Sequence, residues 1–240
     1  MTFAWATTTD QGLVRGHNED ALWPRPDDGE VARGEAEDYF LAAVADGMGG
    51  HVGGEVASRL AIEAAVASDG DAVARVRAAN AAVVGTARDR PRLAGMGTTM
   101  TLAIFSGDTV EIGHIGDSRA YLYREGNLEQ LTRDHSLVAE MVASGELRPE
   151  EAATHPFRSV ITRALGLESA VAVDRVRRDL QPGDRFLLCS DGLTTMLKHQ
   201  EIAALLAGRQ GPAAAAALVE AANRSGGFDN TSLVVVDVRR

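Results

Sequence analysis

From Phe3 to Thr9 the chain alternates, with Phe3, Trp5 and Thr7 on one face and Ala4, Ala6 and Thr8 on the other, and ends in the turn signal Asp10-Gln11-Gly12. A period of two over this length predicts a half-buried strand. Pro24 to Asp38 reads as a polar, acidic loop. Tyr39 to Ala45 is an unbroken apolar run of strand length, predicted to stop at Asp46-Gly47-Met48-Gly49-Gly50 because a glycine cluster does not sustain a regular element. Val56, Leu60 and Ala64 then recur at helical spacing within Glu55 to Ala67, and the alanine-rich stretch Asp71 to Arg88 reads the same way.

Three strand-like runs follow, Thr98 to Phe105, Val110 to Ile115 and Ala120 to Tyr123, separated by Ser106-Gly107-Asp108 and Gly116-Asp117-Ser118. Connections this short predict an antiparallel meander. Thr132 to Leu167 is polar, with a helix predicted at Leu137 to Ser144 and breakers at Pro149 and Pro156, and reads as an inserted lobe. Strand character resumes at Val171 to Val176 and Asp184 to Leu188, helices are predicted at Ile202 to Leu206 and Ala213 to Ala222, and Ser232 to Val238 is a last strand. Strands and helices that segregate rather than alternate predict an α+β fold. No repeat or Pro/Ser-rich linker divides the chain, so one domain over residues 1–240 is expected.

Composition narrows the function. The 240 residues are 45% apolar, enough for a sizeable core. Acidic residues outnumber basic ones 34 to 24, and no basic stripe is present, which argues against nucleic acid as a partner. The single Cys189 excludes an internal disulfide and a cysteine-based zinc cluster. With no apolar run long enough to span a membrane and no signal-peptide pattern, a cytoplasmic monomer without membrane attachment is expected.

One aspartate at a strand end is an ordinary turn or cap residue. Here apolar strands run into Asp46-Gly47, Asp117-Ser118 and Asp191-Gly192, and Asp229-Asn230 stands just before the last strand. Convergent carboxylates about 4 Å apart repel by about 4 kcal/mol per pair at an effective dielectric of about 20, so their gathering calls for cations among them. Hard ions such as Mg²⁺ or Mn²⁺ suit carboxylate and carbonyl oxygens. Near the N-terminus, Arg15 precedes the Glu19-Asp20 pair and offers a bidentate fork for phosphate.

The strings GLVRGHNED, VADGMGGH, GTTMTLA, GDSRAYL, CSDGLTTML and FDNTSLVVV, in this order from about residue 3 to about residue 238, resemble the protein phosphatase 2C family of metal-dependent Ser/Thr phosphatases. The resemblance implies a central antiparallel β-sandwich flanked by helices on both faces, with two Mn²⁺ or Mg²⁺ ions at one edge and a third, weaker one beside them. It implies that Asp46 bridges two ions, that the Gly47 carbonyl serves one, and that Asp191 and Asp229 serve the other. Glu19 and Asp20 match groups that hold the ions' waters, and Asp117 with Asp191 matches the third site. The family's flap corresponds to the lobe at 132–167, and the implied partners are phosphorylated proteins and an opposing Ser/Thr kinase. Water between two divalent ions is acidified toward a pKa of roughly 7, so no nucleophilic side chain is required.

Animal relatives carry a histidine two residues after the bridging aspartate, where this chain has Met48; His51, in the same loop, is the candidate general acid. Thr98 and Thr99 are candidates to support the metal site from behind. A cysteine-based phosphatase would need an arginine six residues after its nucleophile, where Thr195 stands, and a dinucleotide-binding loop would need a glycine at Val52. A catalytically dead binding module would normally have lost one of the carboxylates, and all are present.

Overall fold

The computed structural model describes residues 1–26, 30–49, 53–152 and 154–240. In chain order its strands are β1 (Thr2–Asp10), β2 (Asp20–Trp23), β3 (Ala32–Glu37), β4 (Tyr39–Met48), β5 (Gly97–Thr98), β6 (Met100–Ser106), β7 (Thr109–Ile115), β8 (Arg119–Arg124), β9 (Asn127–Gln130), β10 (Asp174–Asp179), β11 (Arg185–Cys189) and β12 (Thr231–Arg239). The helices are α1 (Gly53–Ala67), α2 (Ala72–Asp89), α3 (Leu137–Ser144), α4 (Pro149–Ala152), α5 (Asp191–Met196), α6 (His199–Leu206) and α7 (Gly211–Arg224). One sheet runs β3-β1-β12-β11-β8-β9; the other runs β10-β7-β6-β4-β2, with β5 appended to β4. All pairings are antiparallel.

The sheets pack face to face, and helices cover both outer faces. On β4, Phe40, Ala42 and Val44 point into the sandwich, whereas Leu41, Ala43 and Ala45 pack with Ala57, Ala61 and Val76 of α1 and α2. On β12, Val234, Val236 and Val238 point inward, and Leu233 and Val235 pack with Leu218 and Ala222 of α7. Strands covered on both sides must be apolar at every position, so these two read as continuous runs rather than alternations. Phe3, Phe40, Phe105 and Phe186 form the aromatic centre of the sandwich, with Phe105 set edge-on to Phe186 at 5.1 Å. No helix among the described residues is long and apolar enough to cross a membrane.

Four expectations need correction. Part of the predicted acidic loop is strand β3, in which Ala32, Gly34 and Ala36 turn inward and Arg33, Glu35 and Glu37 outward, a charged edge that discourages pairing with another chain. Gly34 is required there because a Cβ would lie 2.6 Å from the Trp5 ring. β4 does not stop at Asp46 but continues to Met48, because β5 pairs with Gly47 and Met48. The expected three-strand meander is only a hairpin: β6 and β7 pair with each other, while Gly116-Asp117-Ser118 carries the chain across to the other sheet, where β8 pairs with β11. Strand β10 begins at Asp174 rather than Val171, as the register with β7 dictates. The predicted helix at Leu137 to Ser144 is α3, ended by Gly145 in the left-handed conformation.

Candidate metal centre

Both sheets present strand ends at one edge of the sandwich, and the carboxylates come from both. Asp20 opens β2 and is paired in register with Asp46 on β4. Asp191 opens α5 directly after β11, and Asp229 stands two residues before β12. Asp117 lies in the crossing from one sheet to the other. Neither sheet alone could assemble this set.

Backbone contacts hold each donor. The Asp46 N–H donates to Thr99 Oγ1 at 2.9 Å, and its carbonyl accepts from the Thr99 N–H at 2.9 Å and from Thr98 Oγ1 at 2.8 Å. The two threonines therefore act on the Asp46 backbone. The Gly47 N–H donates to the Glu19 carbonyl at 3.1 Å. A Cβ on Gly54 would lie 2.9 Å from both the Gly47 carbonyl oxygen and Glu19 Oε2, which explains the glycine there. Ser190 Oγ donates to Asp20 Oδ2 at 2.7 Å and accepts from the Ser232 N–H at 3.0 Å. Asn230 pins the loop between β1 and β2: its Oδ1 accepts from the Glu19 N–H at 2.8 Å, and its Nδ2 donates to the carbonyls of Gln11 and His17, each at 2.9 Å.

The electrostatics of this edge are unfavourable as the residues stand. Burial, with the nearby charges of Asp191 and Asp229, pushes the Asp20 carboxyl up to about 7 against the hydrogen bonds from Ser190 and Ser232. Asp117 is likewise pushed up to about 7 by burial and by Asp191 and Asp134. Asp46 is raised well above the usual carboxylate range by burial and then by Asp20, Asp191, Asp117 and Asp229, and Asp191 is raised by burial and Asp229. Asp20 Oδ1 and Asp117 Oδ1 are buried with no hydrogen-bond partner. Leaving a buried acceptor unpaired costs about 1–3 kcal/mol, more when it is charged. A divalent cation answers both problems at once. Among the described residues no three His, Cys, Asp or Glu side chains close on one point. Mg²⁺-like ions take one or two carboxylates each and keep several waters, so a spread, all-oxygen set fits them and does not fit the compact N/S cages of structural zinc.

Arg15 stands at the mouth of this edge, about half exposed, with Nη2 2.6 Å from Asp229 Oδ2. Glu19 lies beside it, between the loop and Gly54. His51 lies outside the described residues. Met48, in place of a histidine, packs its Cε against Gly97. Sequence reasoning missed Asn230 and Ser190. Asn230 was hidden in a common turn dipeptide; Ser190 was visible only as the residue before Asp191.

Partly buried carboxylates from two sheets, meeting at one edge with an arginine at the mouth, form a candidate centre for hard divalent cations. The sequence profile described as Protein phosphatase 2C matches residues 17–222. The serine/threonine protein phosphatase PstP of Mycobacterium tuberculosis is 42% identical over 99% of this chain, which spans 45% of that relative, about half its length. The serine/threonine phosphatase stp of Listeria monocytogenes is 37% identical over 95% of this chain and 93% of its own. The solved catalytic domain of PstP in complex with two manganese ions superposes with a TM-score of 0.86 at 39% identity, covering all of both chains. The chain belongs to the protein phosphatase 2C family.

Proposed function

We propose that this chain hydrolyses phosphoserine and phosphothreonine on proteins at a centre of two Mn²⁺ or Mg²⁺ ions with a weaker third, and so opposes a Ser/Thr kinase. The observation that carries this reading is the set of partly buried aspartates drawn from both sheets, two of them with a buried oxygen lacking any partner. The relatives named above are Ser/Thr phosphatases, one of them with manganese bound.

Asp46, the Gly47 carbonyl, Asp191 and Asp229 would hold two of the ions, and Asp117 with Asp191 would hold the third. Such ions supply Lewis acidity, making water acidic enough to attack phosphorus near neutral pH and offsetting charge on the phosphoryl oxygens. Glu19 and Asp20 orient water at the edge. Arg15 touches Asp229 through Nη2, so its remaining N–H groups can take two non-bridging phosphate oxygens and set the phosphorus for in-line attack. Cys189 is fully buried, with its thiol pushed up to about 12 by burial, so it takes no part as a nucleophile. The free thiol and the lack of a membrane-spanning helix among the described residues suit a cytoplasmic setting.

The test is hydrolysis of para-nitrophenyl phosphate and of a phosphothreonine peptide, with and without Mn²⁺, by the wild type and Asp191→Ala. Manganese-dependent phosphate release that the substitution lowers by at least about a hundredfold is the expected result. Folded, manganese-supplied wild type without turnover would refute the reading.

A further inference from the structure

The Asp117 carboxylate is carried by a tripeptide that is clamped on both sides. On one side Ser118 Oγ lies 2.7 Å from Thr99 Oγ1, and the Ser118 carbonyl accepts from Thr101 Oγ1 at 2.9 Å. On the other, Gly116 gives both of its backbone polar groups to one residue. Its N–H donates to His135 Nδ1 at 3.0 Å, and its carbonyl accepts from the His135 N–H at 2.8 Å. Gly116 has φ +108°, and a Cβ there would lie 2.5 Å from the Thr99 side chain, so the crossing depends on glycine, the least constrained residue. His135 is what constrains it.

Proton counting assigns the state of this imidazole, which is 1% exposed. Nδ1 accepts from an N–H and must present a lone pair, so the proton of the neutral ring sits on Nε2, which faces Asp174 Oδ2 at 3.1 Å. The other oxygen of Asp174 accepts from Arg163 Nη1 at 2.9 Å, and the His135 carbonyl accepts from the Thr162 N–H at 2.8 Å. The ring thus joins the segment at 132–167 to the Asp117 loop.

We propose that His135 is a positioning residue for the weakest of the divalent-ion sites: through Gly116 it sets the Asp117 carboxylate, and Asp174 holds the ring in the tautomer that does so. This rests on the metal-centre reading above. Groups that orient a metal ligand without touching the metal typically change affinity by about 10–100-fold when removed.

Asparagine and glutamine divide the ring's two tasks. Asn Oδ1 falls near the place of Nδ1 and can accept from the Gly116 N–H; Gln Nε2 falls near the ring Nε2, reaching Asp174 but leaving Gly116 without an acceptor. Mn²⁺ binding to the wild type, His135→Asn and His135→Gln is followed by electron paramagnetic resonance of the free ion, with thermal melting to establish folding. Glutamine is expected to weaken the weakest bound ion about tenfold or more and asparagine by less than about threefold. Equal weakening by both, or none by glutamine, overturns the proposal. Should either variant fail to fold, Asp174→Ala, which releases the ring from outside, is expected to weaken the same ion several-fold, and unchanged affinity overturns the proposal. A wild type that binds two ions and no weaker third refutes this inference alone; one that binds no Mn²⁺ refutes the metal centre itself.

Discussion

His114 is fully buried on β7, with Nε2 3.0 Å from the Arg133 carbonyl, Nδ1 2.9 Å from Thr101 Oγ1 and its ring 4.8 Å from that of His135. Among the described residues no carboxylate bonds to its ring; Asp134 and Asp174 lie near enough to favour a charge there, but burial outweighs them. Burial, followed by repulsion from His135 when that ring too takes up a proton, lowers its pKa from 6.5 to about 4. Above pH 6.5 the imidazole is neutral in the folded and unfolded chains alike, and it costs nothing. Below 6.5 the unfolded chain takes up a proton that the folded chain refuses, so stability is lost as the pH falls toward the folded value. At 1.36 kcal/mol per pH unit, the interval from 6.5 down to about 4 comes to about 3 kcal/mol. The raised carboxylates of Asp20 and Asp117 act in the opposite sense, since the folded chain takes up their protons first as pH falls below about 7. They are common to wild type and variant and cancel in a difference. Urea unfolding at closely spaced pH values from 7 to 4 is therefore compared for the wild type and His114→Gln. The variant starts less stable, and the gap should narrow by about 3 kcal/mol toward pH 4. A gap that stays constant across that range would show that His114 is charged or accessible in the folded chain and would refute the argument.

Two further outcomes follow from packing. A Cβ on Gly192 would fall inside the van der Waals envelope of the Asn230 carbonyl oxygen, and Asn230 holds Gln11, His17 and Glu19 together, so Gly192→Ala should cost about 1–3 kcal/mol in urea unfolding. An alanine variant as stable as the wild type would show that the edge can yield there. Cys189, fully buried with its thiol pushed up to about 12, should resist a disulfide reagent at pH 8 in the native chain and react at once in denaturant. Rapid native labelling would mean that β11 opens locally.

The sequence itself determined the elements whose partners lie on both sides. β4 and β12 face the sandwich core with one set of residues and a helix layer with the other, so their apolar runs are visible without knowing what covers them. α1, α2 and α7 each bury one face against a sheet, and that one-sidedness makes them legible as helices, although on α1 the fully buried line is Ala57, Ala61 and Ala65 and the Val56, Leu60 and Ala64 line lies beside it, half-buried. The aspartates stood out because each follows or precedes such a run. What could not be read is what depends on a partner distant along the chain. β3 carries charges at every second position and becomes a strand because β1 supplies its hydrogen bonds. Gly116-Asp117-Ser118 has the composition of a hairpin turn, yet β8 pairs with β11 about sixty residues later, an arrangement that local propensity does not encode. The same is true of the site. Residue types singled out the candidate carboxylates, but the closure of two sheets brought them to one edge, and the hydrogen bonds of Asn230, Ser190 and His135 around them are contacts between segments whose proximity only the folded chain creates.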